Sequence, residues 1–267
     1  MIVQVHDAAD PRLDPFRWRD RQLASKLDRL EVVGAGLFVV EGDLVVQRAI
    51  DARCTPVALL CDDAMSRHFA SIVASNVEIF VADEDLRRDV TGLGVPLRAT
   101  GLFQRPPLTD CDELVAKSSR ILVAEAVDNP TNLGAIIRSA AGLGWDALVL
   151  SSGSADPLAR RALRVSMGTA LALPFARVSA DDSLGNVLQR HSVHSFGLTP
   201  DASAQSLHDV AVPNQRIALL LGSERDGLDE STMVQATQLV RIPMHAHVDS
   251  LNVGAAAAIA MYALGPR

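Results

Sequence analysis

The stretch RILVAEAVDNPTNLGAIIRSAAGLGWDALVLSS, Arg120 to Ser152, decides the fold. It opens on an apolar run, ILVAEAV, of the length a strand buried on both faces requires. The cluster Asp128, Asn129, Pro130, Thr131 and Asn132 then makes a turn, because Asn-Pro pre-shapes the backbone there. LGAIIRSAAGLG follows with helical spacing, and DALVLSS returns to a second apolar run. Strand, helix and strand in this order make a parallel crossover unit. Within it, Gly134 allows something to approach the helix closely. Arg138 interrupts the apolar run, and an unpaired buried guanidinium is costly. Arg138 is therefore expected to face something anionic or polar, either a ligand or an internal carboxylate at Glu125, Asp128 or Glu224.

The alternation continues on both sides of this stretch. LPFARV, VHSFGLT and RIALLLG read as strands, with PLARRALRVSMG and DSLGNVLQRH as helices between them. The pattern predicts an α/β domain with a parallel sheet covered on both faces. Upstream, GLFVVEGDLVVQRAI reads as a strand, a Glu-Gly turn and an amphipathic helix. PVALLCDD and VEIFVAD add strands, and AMSRHFASIVAS and EDLRRDVTGL add helices, so a smaller α/β unit precedes the larger one. QRPPLTDCDE breaks the pattern as a linker does. The expected layout is a weakly patterned mobile arm over 1–20, a first domain over 21–105, a linker over 106–118 and a second domain over 119–267.

Composition sets outer limits. The chain has 267 residues, 48% of them hydrophobic and 21% charged, the balance of a soluble globular protein. No secretory signal opens it, and VGAAAAIAMYAL is too short to span a bilayer, so no membrane association is expected. Three cysteines without C-x-x-C spacing fit a reduced, cytoplasmic setting and no cysteine-built zinc site. The net charge of −7 argues against a nucleic-acid partner, but arginines cluster locally at Arg12, Arg17, Arg19 and Arg21 and again in RRALR. Phosphate binding is a local interaction, screened beyond about 10 Å, so composition does not decide the matter.

Parallel sheets place ligands beyond the C-terminal ends of their strands. Three such places carry unusual residues: the turn before Asn132, the segment LLLGSERDGL from Leu219 to Leu228, and the segment RIPMHAHVDSLNVGAAAAIAMYAL from Arg241 to Leu264. The second is neither a G-x-G-x-x-G nor a G-x-x-x-x-G-K-[ST] pattern, so a nucleotide held by its phosphates is not expected. In the third, Asp249 or Ser250 is expected to cap the alanine-rich helix, with Asn252 in its first turn. His245 and His247 share one face of an extended segment, but no acidic or cysteine ligand stands at matching spacing, so no metal is expected.

Taken in order, N-P-x-N-x-G-x-x-x-R, L-x-G-x-E-x-x-G-L and I-P-M…S-L-N-V…A-A-A-I resemble the three motifs of the SpoU/TrmH branch of the SPOUT RNA methyltransferases. The likeness covers about Ile121 to Leu264. The N-terminal unit around VVEGDLVVQRAI resembles the ribosomal-protein-like RNA-binding domain often fused ahead of that fold. The resemblance implies a C-terminal trefoil knot, a homodimer, S-adenosylmethionine as methyl donor, and transfer to a ribose 2′-hydroxyl of RNA, ribosomal in preference to transfer RNA. It assigns the cofactor to backbone near Gly222, Ile242 and Leu251, with Met244 and Thr199 beside them. It matches Arg138 to the arginine that activates the ribose hydroxyl, and Asn132, Glu224, Ser250 and Asn252 to polar positions that orient it. Gly254 departs from the pattern, since many relatives carry serine there. Arg160, Arg161 and Arg164 would then line the RNA path. The alternative is a catalytically silent RNA-binding protein of the same fold.

Overall fold

The computed structural model describes residues 1–24, 36–94, 97–179, 181–245 and 250–265. The first part of the chain runs β1 (Ile2–Gln4), α1 (Asp14–Arg17), α2 (Asp20–Leu23), β2 (Leu37–Glu41), α3 (Asp43–Asp51), β3 (Pro56–Cys61), α4 (Asp63–Ala70), β4 (Glu78–Val81), α5 (Glu84–Thr91) and β5 (Ala99–Gln104). It continues with α6 (Cys111–Lys117), β6 (Arg120–Ala124), α7 (Pro130–Gly142), β7 (Ala147–Leu150), α8 (Arg160–Val165), β8 (Phe175–Arg177), α9 (Leu184–Arg190), β9 (His194–Leu198) and β10 (Gln205–Ser206). β11 (Ile217–Leu221), α10 (Glu230–Gln235), β12 (Gln238–Arg241) and α11 (Val253–Leu264) complete it. Aspartates start several of these helices as the sequence implies. Asp62, Asp83 and Asp110 each accept a hydrogen bond from the backbone N–H three residues on, which satisfies a donor the helix leaves open.

The chain divides into two compact units, Met1–Pro107 with Leu158–Leu171, and Leu108–Pro157 with Ala172–Arg267. In the first, five strands lie in the order β1-β4-β3-β5-β2. β5 runs antiparallel to both β2 and β3, while β1, β4 and β3 are parallel. Residues 1–20 do not form a mobile arm: β1 pairs with β4 from Ile2 to Gln4, and Leu13 and Phe16 are fully buried among Leu60, Phe80 and Leu102. Leu13 and Phe16 stand three residues apart, but the helical turns that hold them are only three and four residues long, too short for a periodic pattern to register.

The RRALR segment also belongs to this unit. Arg160 donates to Glu41 (Nη1 to Oε1, 2.9 Å) and to the carbonyls of Phe16 and Trp18 at 2.6 and 3.0 Å. Arg164 completes the cluster on Glu41 Oε2, and the Glu41 side chain is 2% exposed. A carboxylate that far from water needs cations beside it. The expected domain cut at 119 therefore misses a segment that returns to the first unit.

The second unit is a seven-stranded sheet in the order β10-β12-β9-β11-β6-β7-β8, with every pairing parallel. A mixed α/β fold with a parallel sheet is thus present, as the strand–helix alternation predicts. β6 and β11 are buried along almost their whole length, which explains their unbroken apolar sequences. The 106–118 stretch is more than a linker. It contains α6, whose Leu114 and Val115 pack in the core of the second unit. Among the described residues, no helix is long and apolar enough to cross a membrane.

Phe16→Ala should lower the unfolding free energy by about 3–5 kcal/mol, the cost of removing a buried aromatic ring. Urea unfolding of the full-length variant measures it, and an effect near zero would return residues 1–20 to the status of an arm.

Candidate active site

The sheet of the second unit brings its candidate residues together by register alone. Thr199 follows β9, Gly222 follows β11 and Ile242 follows β12, each one residue beyond the strand end. These strands are adjacent and parallel in the order β12-β9-β11, so the three residues share one edge of the sheet. At the usual spacing between strands the row spans about 10 Å, the length of an adenosine. Backbone donors and acceptors stand at these strand ends, with a half-buried apolar Met244 two residues past Ile242. Leu251 is 37% exposed. His247 and Asp249, singled out above, lie outside the described residues. Among the described residues no three His, Cys, Asp or Glu side chains group as metal ligands would.

Next along the same edge comes the turn between β6 and α7. Asn129 caps α7 by accepting from Thr131 N–H, and Pro130 occupies the first helical position, where its missing N–H costs nothing. Asn132, one turn in, is buried. Asn252 Nδ2 donates to Asn132 Oδ1 at 3.1 Å, across 120 residues of sequence. Asn252 itself, and not Ser250, caps α11: its Oδ1 accepts from Gly254 N–H at 2.9 Å and Ala255 N–H at 3.4 Å. Ser250 is exposed just ahead of this cap. α11 then runs alongside α7, and Trp145 Nε1 donates to the Met261 carbonyl at 3.2 Å. Gly254 sits at the crossing. A Cβ there would meet Ala135 Cβ at an ordinary 3.4 Å but would lie 3.1 Å from Asn252 Oδ1, so a larger residue would need the capping side chain to give by a few tenths of an ångström.

The loop after β11 is a tight one. Ser223 and Gly227 exchange backbone hydrogen bonds at 3.0 and 3.1 Å, and Gly227 has φ 73°. A Cβ on Gly222 would sit 2.0 Å from the Gly227 carbonyl carbon, so glycine is required for the loop to close on itself. Glu224 is at the exposed tip of this loop. Glu125 closes it from outside, its carboxylate accepting from Asp229 N–H at 2.9 Å and from the Thr232 hydroxyl at 2.5 Å. Glu125 is thus not the partner of Arg138. Its role was missed in the sequence, although a carboxylate inside ILVAEAV is the signal that could have found it.

Arg138 lies about 9 Å along α7 from Asn132 and about 120° around its axis. It is exposed and pairs with none of Glu125, Asp128 or Glu224. The structure therefore joins Asn132 to Asn252 but brings neither Arg138 nor Glu224 into contact with them. Among the arginines expected on an RNA path, Arg160 is taken up by Glu41 and two carbonyls, Arg164 is half-exposed on Glu41, and Arg161 is exposed.

Residues 119–262 match the family model described as the SpoU rRNA Methylase family. The chain belongs to that family. It is 38% identical, over 98% of its length and 91% of the relative's, to a Mycobacterium bovis protein named as an uncharacterized tRNA/rRNA methyltransferase. It is 26% identical to the 23S rRNA (guanosine(2553)-2′-O)-methyltransferase RlmP of Bacillus subtilis, over 98% and 99% of the two chains. Among solved structures, the AdoMet-bound rRNA methyltransferase of Sinorhizobium meliloti shares its fold with a TM-score of 0.83 at 23% identity, covering 98% and 97%. A TrmH-family putative RNA methyltransferase of Porphyromonas gingivalis gives 0.76 at 25% identity, covering 95% of each chain.

Asn252→Ala removes the helix cap and the bond to Asn132 together. The unfolding free energy should fall by about 1–2 kcal/mol in urea titration. A loss of a few tenths would mean that the two helices hold their places without it.

Proposed function

We propose that the second unit binds S-adenosylmethionine and transfers its methyl group to a ribose 2′-hydroxyl of RNA, ribosomal in preference to transfer RNA. Membership of the SpoU rRNA methylase family supports the reaction, and the ribosomal-RNA names of relatives support the substrate. The observation that carries it is the row Ile242, Thr199 and Gly222 on adjacent strand ends, one strand away from the Asn132–Asn252 pair. These residues fit an adenosine held by backbone groups, with Met244 and Leu251 as apolar walls.

The cofactor supplies an electrophilic methyl on a sulfonium. The protein's task is to bind the donor, place the ribose oxygen in line and favour loss of its proton. A guanidinium is a cation and not an ordinary base, so Arg138 grips the adjacent phosphate and stabilises negative charge on the ribose oxygen. The proton leaves to phosphate or water. Asn132, Asn252, Ser250 and Glu224 orient the ribose and the guanidinium. Arg161 and the outer face of Arg164 serve the RNA backbone, while Arg160 holds Glu41. The N-terminal unit selects the RNA by its shape. The enzyme works in the cytoplasm, and the chain after β12 is threaded as a trefoil knot.

The active form is a homodimer. α11 presents Ala255, Ile259 and Tyr262 on one exposed face, continuing from Leu251, with Ile259 44% and Tyr262 80% exposed. An apolar stripe of this kind calls for a protein partner. A second copy would also give exposed Arg138 and Glu224 neighbours that they lack among the described residues.

Incubation with labelled S-adenosylmethionine and ribosomal RNA should place label on ribose oxygen. Arg138→Ala should reduce that transfer by about a hundred- to a thousand-fold, the scale of losing a charge-stabilising group, with cofactor affinity within about two-fold of wild type. Wild-type turnover in the variant would remove Arg138 from this role. Binding of RNA without transfer by the wild-type protein would favour the silent alternative. Tyr262→Glu should shift the protein from dimer to monomer in sedimentation analysis, and a wild-type monomer would end the dimer assignment.

A further inference from the structure

Glu125 stands in a place that the methyl-transfer reading leaves unused. It follows β6 directly and is 7% exposed. The sheet extends one way from β6 through β7 and β8, and the other way through β11, β9 and β12. Glu125 is therefore at the crevice where the winding direction changes, the part of an open α/β sheet at which ligands bind.

Its bonds hold both ends of one loop. The Glu125 backbone N–H donates to the Leu221 carbonyl at 2.8 Å, immediately before Gly222. Its carboxylate accepts from Asp229 N–H, immediately after Leu228, and from the Thr232 hydroxyl in the first turn of α10. Asp229, the N-cap of α10, makes no side-chain cap of its own, but its own N–H is taken by Glu125 from 104 residues away, the bond that a glutamate in the first turn makes in a capping box. Within the loop, the hydrogen bonds are the Ser223–Gly227 pair and Asp226 N–H to Ser223 Oγ. These shape the loop but do not fix where it stands relative to its neighbours on the sheet edge.

We propose that Glu125 is a positioning residue for the methyl donor: its carboxylate ties the start of α10 to a backbone already bonded to Leu221, and so sets the Gly222–Leu228 backbone in register with Thr199 and Ile242. The inference rests on the cofactor site proposed above. Glu125 touches no reacting atom and acts through the loop. Its chemistry predicts which substitution rescues it. Glutamine retains a carbonyl for Asp229 N–H, and its amide can donate to the Thr232 oxygen, so the clamp survives. Alanine leaves both groups unsatisfied in a buried place.

The test is the dependence of transfer rate on S-adenosylmethionine and on RNA, with direct calorimetry of S-adenosylmethionine on the full-length protein. Glu125→Ala should raise the KM for S-adenosylmethionine about ten-fold, the effect of losing buried hydrogen bonds, and leave the KM for RNA within about two-fold. Glu125→Gln should stay within about three-fold of wild type, and Thr232→Val should raise the same KM by about three-fold. A merely structural brace would lower apparent kcat through loss of folded enzyme and leave the KM unmoved, and that result overturns the proposal. If Glu125→Ala does not fold, an unchanged KM in Thr232→Val overturns it as well. Wild-type protein that binds no S-adenosylmethionine overturns the cofactor site itself, whereas normal wild-type binding matched by Glu125→Ala overturns the role of Glu125 alone.

Discussion

The hydrogen bond between Asn252 and Asn132 is the constraint on which the site depends. The side-chain amide of Asn252 is committed at both ends, since Oδ1 takes the free N–H groups at the start of α11 and Nδ2 reaches Asn132. Neither end can move without disturbing the other, so capping a helix and joining two distant segments become one event. Asn132 is fixed in turn, because Asn129 and Pro130 set the start of α7. Two helix N-termini, each with open donors and partial positive charge, are thereby held side by side next to the strand ends.

The rest of the site needs little besides strand register. In a parallel sheet all strands finish on one side, and residues that follow them form a row whatever their separation in sequence. Thr199, Gly222 and Ile242 occupy such a row. The absence of a Cβ at Gly222 lets the following loop fold back on the strand end, which keeps backbone groups and not side chains at the sheet edge.

Much of this was legible in the chain itself, in proportion to how local the cause is. GLFVVEGDLVVQRAI became β2, a turn at Gly42 and α3, and the apolar runs ILVAEAV and RIALLLG became the central strands. Their burial is continuous, so their sequences are too. Leu13 and Phe16 escaped notice because three-dimensional packing, not periodicity, makes them core residues. α6 was hidden behind a Pro-Pro pair and a run of acidic residues, although only Leu114 and Val115 had to be apolar for it to dock. In the site, motif order alone picked out Asn132 and Asn252. The exposed setting of Arg138 and the clamp at Glu125 depend on partners across the fold that no spacing encodes. The same holds for RRALR, which reads as a basic surface until Glu41 is found beneath it.

That buried carboxylate bears on how separable the two halves of the molecule are. A fragment ending at Pro107 would keep every strand of the first sheet but surrender Arg160 and Arg164, stranding an anion in its interior. Such an orphan charge costs roughly 3–5 kcal/mol, a large share of what a domain of this size possesses. The first unit is therefore not detachable as a contiguous piece. Any shuffling that grafts it onto another catalytic domain must carry the fourteen-residue excursion Leu158–Leu171 along, or replace Glu41 with something that needs no cation.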